Sequence, residues 1–469
     1  MAKYLYGASV QGIQGFIFKT NKLQEIVGAS EIVKGIEEEF SQNYSPTEII
    51  LNAAGNIKAT FDNKEALEKV VLEFPKRIMQ QAYGISISQA VVKFDGDEPS
   101  QDVLNLLEQR LKVQRNRVAN SLDLSLNIME LNPSTAKPIV EYRTIKKRNT
   151  PLDRATEQKL QAYDRFLKKN PHLKEFGDIS SFSNGKNKIA VIHADGNGLG
   201  ALLPTLSKRG IKLSEFSKAL DEATHTAFNR AKDDTMSIRD VILGGDDMVV
   251  VCNANDALRF TKNFLQYFEE ETTKKIGSKL TACAGVAFTN EKYPFHYAVN
   301  LAEELCSQTK KHAKALNRDD VPSSLMFHNI QSSNFHSWDR FVEDELTIRN
   351  DEKTIYCDFG PYYLDEPNQP KVEDFLNTVE AYRCEGSPIS RLRVWLAELY
   401  NSQTYASSLL SRINDMAKEQ SDWRSCIMER NLKNFNQELS NEQLIIEKDG
   451  VLKTPIYDVL QILSVTEAM

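Results

Sequence analysis

The stretch "RDVILGGDDMVVVCN", Arg239 to Asn253, sets two glycines and two aspartates between two apolar runs. Val241-Ile242-Leu243 and Met248-Val249-Val250-Val251 read as short strands buried on both faces. The four residues between them suit a tight hairpin, with Gly244 and Gly245 supplying backbone freedom. Neighbouring carboxylates at Asp246 and Asp247 repel each other and resist desolvation unless something positive compensates. One reading is an exposed turn with solvated aspartates; the sharper one is a divalent-metal site. Upstream, "IAVIHADGNGLGALL" ends an apolar strand in Asp195 and continues into Gly196-Asn197-Gly198-Leu199-Gly200. Glycines there let the backbone approach a phosphate, and a following helix N-terminus favours negative charge. The loop alone is a weak signal, because "GNGLG" fits neither the Rossmann spacing nor the P-loop ending.

Three carboxylates, Asp195, Asp246 and Asp247, would suit two Mg²⁺ or Mn²⁺ ions, hard cations that prefer oxygen ligands. Two such ions about 4 Å apart stabilise the attacking and leaving oxygens of an in-line displacement at phosphorus. A triphosphate also needs cations. "NLAEELCSQTKKHAKAL" reads as a helix with Lys310 and Lys314 at i and i+4 on one face. Late-helix lysines are commonly solvated or favoured by the helix dipole, so these two stand open between that reading and phosphate binding.

The elements that would gather these residues emerge from an internal repeat. "ILNAAGNIKATFDNKEALEKVV" lies beneath "VILGGDDMVVVCNANDALRFTK" at an offset of 191, Ala66 on Ala257. "VLNLLEQRL" lies under "AVNLAEELC" at an offset of 195, Val103 on Ala298, and the same offset sets "ISISQAVVKF" under "LTACAGVAFT". "LYGASVQGIQG" aligns more loosely with "VIHADGNGLGA". Each copy reads strand–helix–strand–strand–helix–strand–helix. In the second copy these elements are Ile189–His193, Leu213–Lys232, Val241–Leu243, Met248–Cys252, Ala257–Lys274, Leu280–Phe288 and Phe295–Ala315.

That order predicts an α+β fold of two ferredoxin-like domains, antiparallel sheets with helices on one face. In it the first strand and the 242–248 hairpin are neighbours, so the three aspartates converge at one sheet edge. Asp246 and Asp247 fall opposite Gly55 and Asn56, and Asp195 opposite Ser9: one copy carries the carboxylates and the other has lost them. The expected organisation is a degenerate first domain over 1–131, a polar connection over 132–187, an active domain over 188–329 and a mainly helical domain over 330–469. The connection contains "RTIKKRN", whose Lys146, Lys147 and Arg148 read as a solvated face or a minor RNA contact.

Composition narrows the classes. A chain of 469 residues is too long for one core. Hydrophobic content of 41% and charged content of 26% are ordinary for a soluble globular protein. There is no signal-peptide layout and no run of about 18 apolar residues, so no membrane association and a cytoplasmic location are expected. Six scattered cysteines without a Cys-x-x-Cys pair read as reduced core residues. A net charge of −7 argues weakly against a protein that coats nucleic acid.

On these residues the sequence resembles a known superfamily. "GGDD" on a hairpin with an upstream aspartate is similar to the palm shared by GGDEF diguanylate cyclases, class III adenylyl cyclases and the CRISPR polymerase. "AEELCSQTK" resembles the GGDEF family's phosphate-binding helix, with Ala302 and Lys310 in register and Lys314 at its basic residue one turn later. The nearer resemblance is to the large subunit of type III CRISPR effector complexes, a two-palm family with one degenerate palm. "GIQGFIFKTNKLQEIVGASEIV" looks like the start of its first palm, and Asp195 to Gly200 like the "DGN-x-LG" strand of its second. The resemblance covers about residues 1 to 330.

It implies ATP bound between the palms and joined 3′ to 5′ into cyclic or linear oligoadenylate messengers for antiviral defence. Asp195, Asp246 and Asp247 would be catalytic metal ligands. Gly196, Asn197, Gly198, Gly244, Gly245, Lys310 and Lys314 would form the nucleotide site. The sequence departs from the family in having no His-Asp pair of a nuclease domain and no cysteine in 132–187 for a zinc ribbon. No DNase activity is expected, and a free-standing cyclase and a subunit of a guide-RNA complex that meets target RNA both fit. A monomer or an assembly subunit is the expected state. The competing class is a non-enzymatic, ATP-binding scaffold subunit. A diguanylate cyclase is disfavoured by the second palm and by "GGDDM" in place of "GG[DE]EF".

Overall fold

The computed structural model describes residues 3–53, 55–117, 126–145, 147–200, 202, 213–317, 320–331, 337–349, 354–419, 425–448 and 450–467. Lys146 lies outside them. The chain divides into two compact units. One comprises Met1–Ser181 with Gly200–Glu222, the other Phe182–Leu199 with Ala223–Met469.

The first unit opens with β1 (Lys3–Gln11), α1 (Ile13–Ile17) and α2 (Leu23–Asn43), then β2 (Glu48–Ala53) and β3 (Asn56–Phe61). It continues with α3 (Lys64–Gln81), β4 (Ser86–Phe94) and α4 (Gln101–Arg115). The sheet order is β2-β3-β1-β4, antiparallel throughout. This is the ferredoxin-like order, in which the first strand lies centrally between the third and fourth. Leu107 and Leu111 of α4 pack on Leu5, Val92 and Phe94 of the sheet. The stretch 132–187 holds a hairpin, β5 (Ile139–Ile145) and β6 (Arg148–Asp153), followed by α5 (Arg154–Lys169). α5 lies close against α2: a Cβ at Gly28 would sit 1.8 Å from the Lys159 carbonyl oxygen. The Lys159 ammonium donates to the Phe16 carbonyl at 2.6 Å, and burial pulls its pKa down to about 8.

From residue 188 onward the chain repeats the plan. β7 (Lys188–Gly196), α6 (Leu213–Ala231), β8 (Ile238–Gly244), β9 (Asp247–Asn253), α7 (Ala257–Ile276), β10 (Ala282–Asn290) and α8 (Phe295–Leu316) follow in the expected order. The runs "IAVIHA", "MVVVC" and "ACAGVAF" are buried on both faces, which is why they lack alternation. The sheet order β10-β7-β9-β8 matches β4-β1-β3-β2, extended beyond β10 by β11 (Ser324–Asn329) and β14 (Tyr362–Tyr363). Gly285 lets α8 settle on β10, since a Cβ there would lie 2.0 Å from the Ala302 carbonyl oxygen.

The registers support the sequence-derived repeat. Ser9 pairs with Asn56 as Asp195 pairs with Asp247, and the Val10 N–H donates to Gly55 O as the Gly196 N–H donates to Asp246 O.

After residue 330 the chain contains α9 (Trp338–Glu345), β12 (Thr347–Arg349), β13 (Thr354–Tyr356), α10 (Val372–Tyr382), α11 (Ile389–Leu399), α12 (Gln403–Glu419) and α13 (Ser425–Phe435). It ends with β15 (Ile446–Lys448), β16 (Val451–Lys453) and α14 (Ile456–Val465), so a small sheet of order β12-β13-β16-β15 accompanies the helices. Cys252, Cys283, Cys306 and Cys357 are buried free thiols. Among the described residues, no helix is long and apolar enough to cross a membrane.

Candidate functional site

The site is built on one end of the β7-β9-β8 ladder. β7 carries Asp195 at its last turn of the pleat, directly opposite Asp247 at the start of β9. Gly244 pairs with Asp247, which leaves Gly245 and Asp246 as the turn. Gly245 has φ +60°, the left-handed conformation that favours glycine. Thr224 of α6 donates its hydroxyl to the Gly245 carbonyl and steadies the turn from outside the hairpin.

Gly196 is packed against the turn: a Cβ at that position would lie 2.8 Å from Asp246 Cβ. The loop that follows is held by Asn197, whose N–H donates to Thr281 O at 2.8 Å. Its side-chain amide donates to Thr281 Oγ1 at 3.1 Å and to Cys283 Sγ at 3.4 Å. Asn197 is thus buried within the protein. Gly198, at φ +74°, turns the chain beyond it.

Lys310 reaches this edge from α8. Its ammonium donates to Asp195 Oδ2 at 2.5 Å and to Gly196 O at 2.7 Å. Lys314, one turn later, is exposed. The structure therefore gathers Asp195, Asp246, Asp247, Gly196, Gly244, Gly245 and Lys310, sets Asn197 inside the loop as a brace, and leaves Lys314 at the surface.

Electrostatically the edge is short of positive charge. Burial, reinforced by the charge of Asp195 and a hydrogen bond to it, pushes the Asp246 carboxyl up to about 7. Asp247 is also raised, first by burial and then by Asp195 and Glu303, with His193 and Lys310 opposing. Its Oδ1 is buried without a hydrogen-bond partner. His193 Nε2 lies 3.7 Å from that oxygen, too far for a hydrogen bond. Hard carboxylate oxygens, one of them orphaned and two held in a penalised state, fit the chemistry of Mg²⁺ or Mn²⁺. Among the described residues no group of three His, Cys, Asp or Glu side chains is gathered tightly enough to hold a metal ion, and Lys310 is hydrogen-bonded to Asp195.

His193, Thr224, Thr281 and Glu303 are the contributors that motif reading missed. His193 had a signal, since it stands two residues before Asp195 and so shares its sheet face. Thr224 and Thr281 had none, being brought in by tertiary packing.

A family model described as Cas10/Cmr2, second palm domain, matches residues 188–321. Residues 188–321 are thus similar to a Cas10/Cmr2 second palm. No curated protein matches. Three solved structures share the fold with the palm and with the rest of the chain. A chain of the Csm1-Csm4 cassette in complex with cA3 aligns with a TM-score of 0.55 at 13% identity, over 99% of this chain and 70% of its own. The Csm1-Csm4 subcomplex in the type III-A CRISPR-Csm interference complex gives the same four values. The cassette in complex with AMPPNP gives a TM-score of 0.52 at 15% identity, over 99% and 69%. The GGDD hairpin and the Asp195 strand both lie inside the matched palm.

Proposed function

We propose that this chain is a nucleotidyltransferase that joins ATP into cyclic or linear oligoadenylates for antiviral signalling, within an assembly of the Csm type. The observation that carries the reading is the register that sets Asp195 opposite Asp247, beside the Gly245-Asp246 turn, with Lys310 on the same edge. That similar folds were solved with cA3 and AMPPNP supports it.

In the proposed reaction a 3′-hydroxyl oxygen attacks the α-phosphorus of ATP; the new O–P bond forms as the bond to the β-phosphate oxygen breaks. Pyrophosphate leaves and the hydroxyl proton passes to solvent. Asp195, Asp246 and Asp247 would hold the divalent cations, whose chemistry is to lower the hydroxyl pKa and to neutralise charge on the departing phosphates. The chain's own groups do the rest. Lys310 would exchange Asp195 for triphosphate oxygens, freeing the carboxylate. Gly196 and Gly198 would bring backbone close to phosphate, and Asn197 would keep that loop from shifting. Lys314 would meet the phosphates from the exposed turn of α8.

The test is incubation of the purified protein with each labelled NTP and Mg²⁺ or Mn²⁺, products resolved by mass spectrometry, beside Asp246→Ala/Asp247→Ala. An adenylate oligomer that vanishes in the double variant is the expected result. The second reading, an ATP-binding scaffold, draws on Lys310 seated on Asp195. ATP binding without turnover, even after addition of Csm4-type partner subunits and target RNA, would favour it.

A further inference from the structure

The two copies of the fold differ at one sheet edge. In the second unit the outer side of β10 is covered by β11, paired in parallel from Cys283–Ser324 to Phe288–Asn329. The equivalent strand of the first unit, β4, ends its sheet among the described residues. Its nine residues, Ser86 to Phe94, are paired on the β1 side in unbroken register. A strand of that length is a template for another chain, and proteins usually blunt such an edge with a bulge, a proline or charge. Here the β1–β4 ladder has no bulge, β4 has no proline, and Lys93 is its one charged residue.

Beside this edge lies a groove of about 1040 Å³ between β4 and α4. Leu106 and Val113 line it and expose 40% and 58% of their surfaces. Arg110, Arg115 and Arg117 line it too, and among the described residues no aspartate or glutamate does. Arg115 is shared with Glu108 at 3.4 Å, and Arg110 hydrogen-bonds the Val91 carbonyl of the edge itself. Among the described residues no aromatic side chain lines the groove, so they offer no stacking platform of the kind that holds single-stranded nucleic acid.

We infer that the β4 edge is the docking site for an extended, acidic segment of a partner protein, which adds a strand to the first sheet as β11 does to the second. Main-chain hydrogen bonds to β4 would give affinity, Leu106 and Val113 would take the inward side chains, and the arginines would select acidic ones. The inference is independent of the nucleotidyltransferase reading, since it uses no residue of the GGDD edge.

The experiment has two steps on the full chain. Hydrogen exchange of the protein alone is measured first, and the β4 amides that point away from β1 are expected to exchange fast. A displayed library of ten-residue peptides is then panned, and selected peptides are rebound to Arg110→Glu/Arg117→Glu and to Arg117→Glu alone. Arg117 is exposed beyond α4, so its variant does not hang on folding. The expected result is enrichment of acidic, proline-poor peptides that protect β4 amides. Their affinity should drop at least tenfold in the double variant, more weakly in the single one, and vanish when a central proline is introduced. Four outcomes overturn the proposal: outward β4 amides already protected in the protein alone, no acid-biased enrichment, affinity indifferent to charge reversal, or protection elsewhere. An RNA oligonucleotide that protects β4 and is lost in Arg117→Glu would also overturn it, by giving the surface to nucleic acid.

Discussion

At the residue scale the molecule places negative charge where water is scarce. Asp246 is half-buried beside Asp195, and burial, with the charge of Asp195, pushes its carboxyl up to about 7. Asp246→Asn removes a group the fold penalises, so the metal-free protein at pH 8 is expected to show a higher thermal midpoint than the unaltered chain. Excess Mg²⁺ should shrink that gap, because a bound cation rewards the carboxylate. Differential scanning fluorimetry with and without Mg²⁺ checks both signs. Lys310→Met bears on the opposite charge. Losing one charge-assisted contact of about 1.5–3 kcal/mol should weaken ATP binding about ten- to a hundredfold while leaving AMP binding almost unchanged. Isothermal titration with both nucleotides reads the ratio; equal losses would mean that Lys310 serves Asp195 and not the triphosphate.

At the element scale, two glycines hold different junctions. Gly285 permits α8 to lie on β10, and a methyl group would meet backbone at 2.0 Å, which cannot swing aside. Gly285→Ala should cost about 2–4 kcal/mol in urea unfolding by forcing the helix off the sheet. At Gly196 the added methyl meets Asp246 Cβ, in a turn that can yield. Gly196→Ala should therefore cost less stability than Gly285→Ala and yet abolish the proposed nucleotidyl transfer, because the displaced residue is a carboxylate of the candidate site. Reversed rankings would show the turn to be rigid.

At the scale of the whole molecule, two buried groups oppose each other in pH. His328 on β11 is held neutral by burial, its pKa pulled down to about 3 from an ordinary value near 6.5. Its contribution to stability is present above about 6.5 and is lost as the pH falls, because the unfolded chain takes up a proton that the fold refuses. Asp458 on α14 accepts from Tyr362, Gln461 and Phe359, yet burial still pushes it up to about 7. Its contribution is present below about 4 and is lost as the pH rises towards 7. Between pH 4.5 and 6 the two slopes have opposite sign, each about 1.4 kcal/mol per pH unit, and they should cancel. Asp458→Asn is expected to make stability rise with pH over that window, and His328→Gln to make it fall. Urea titrations at three pH values check this; two parallel curves would mean that one of the groups is not buried in its neutral form.

The repeat, the order of its elements and the convergence of Asp195, Asp246 and Asp247 were legible in the sequence. Strand and helix periods are local, so an apolar run such as "MVVVC" marks a buried strand whatever it pairs with. The pairing of Ser9 with Asn56 and of Asp195 with Asp247 is the same in both copies, as the aligned repeat leads one to expect. Contacts between elements distant in the chain were not legible. That Lys310 faces Asp195 while Lys314 faces water depends on how α8 is rotated on β10, which Gly285 and its neighbours decide. That Asn197 braces its loop depends on Thr281 and Cys283, more than eighty residues away. The edge of β4, unpaired with another strand among the described residues, was equally hidden, because hydrogen-bonding groups of the main chain carry no mark in the sequence until the sheet shows which strand is its last.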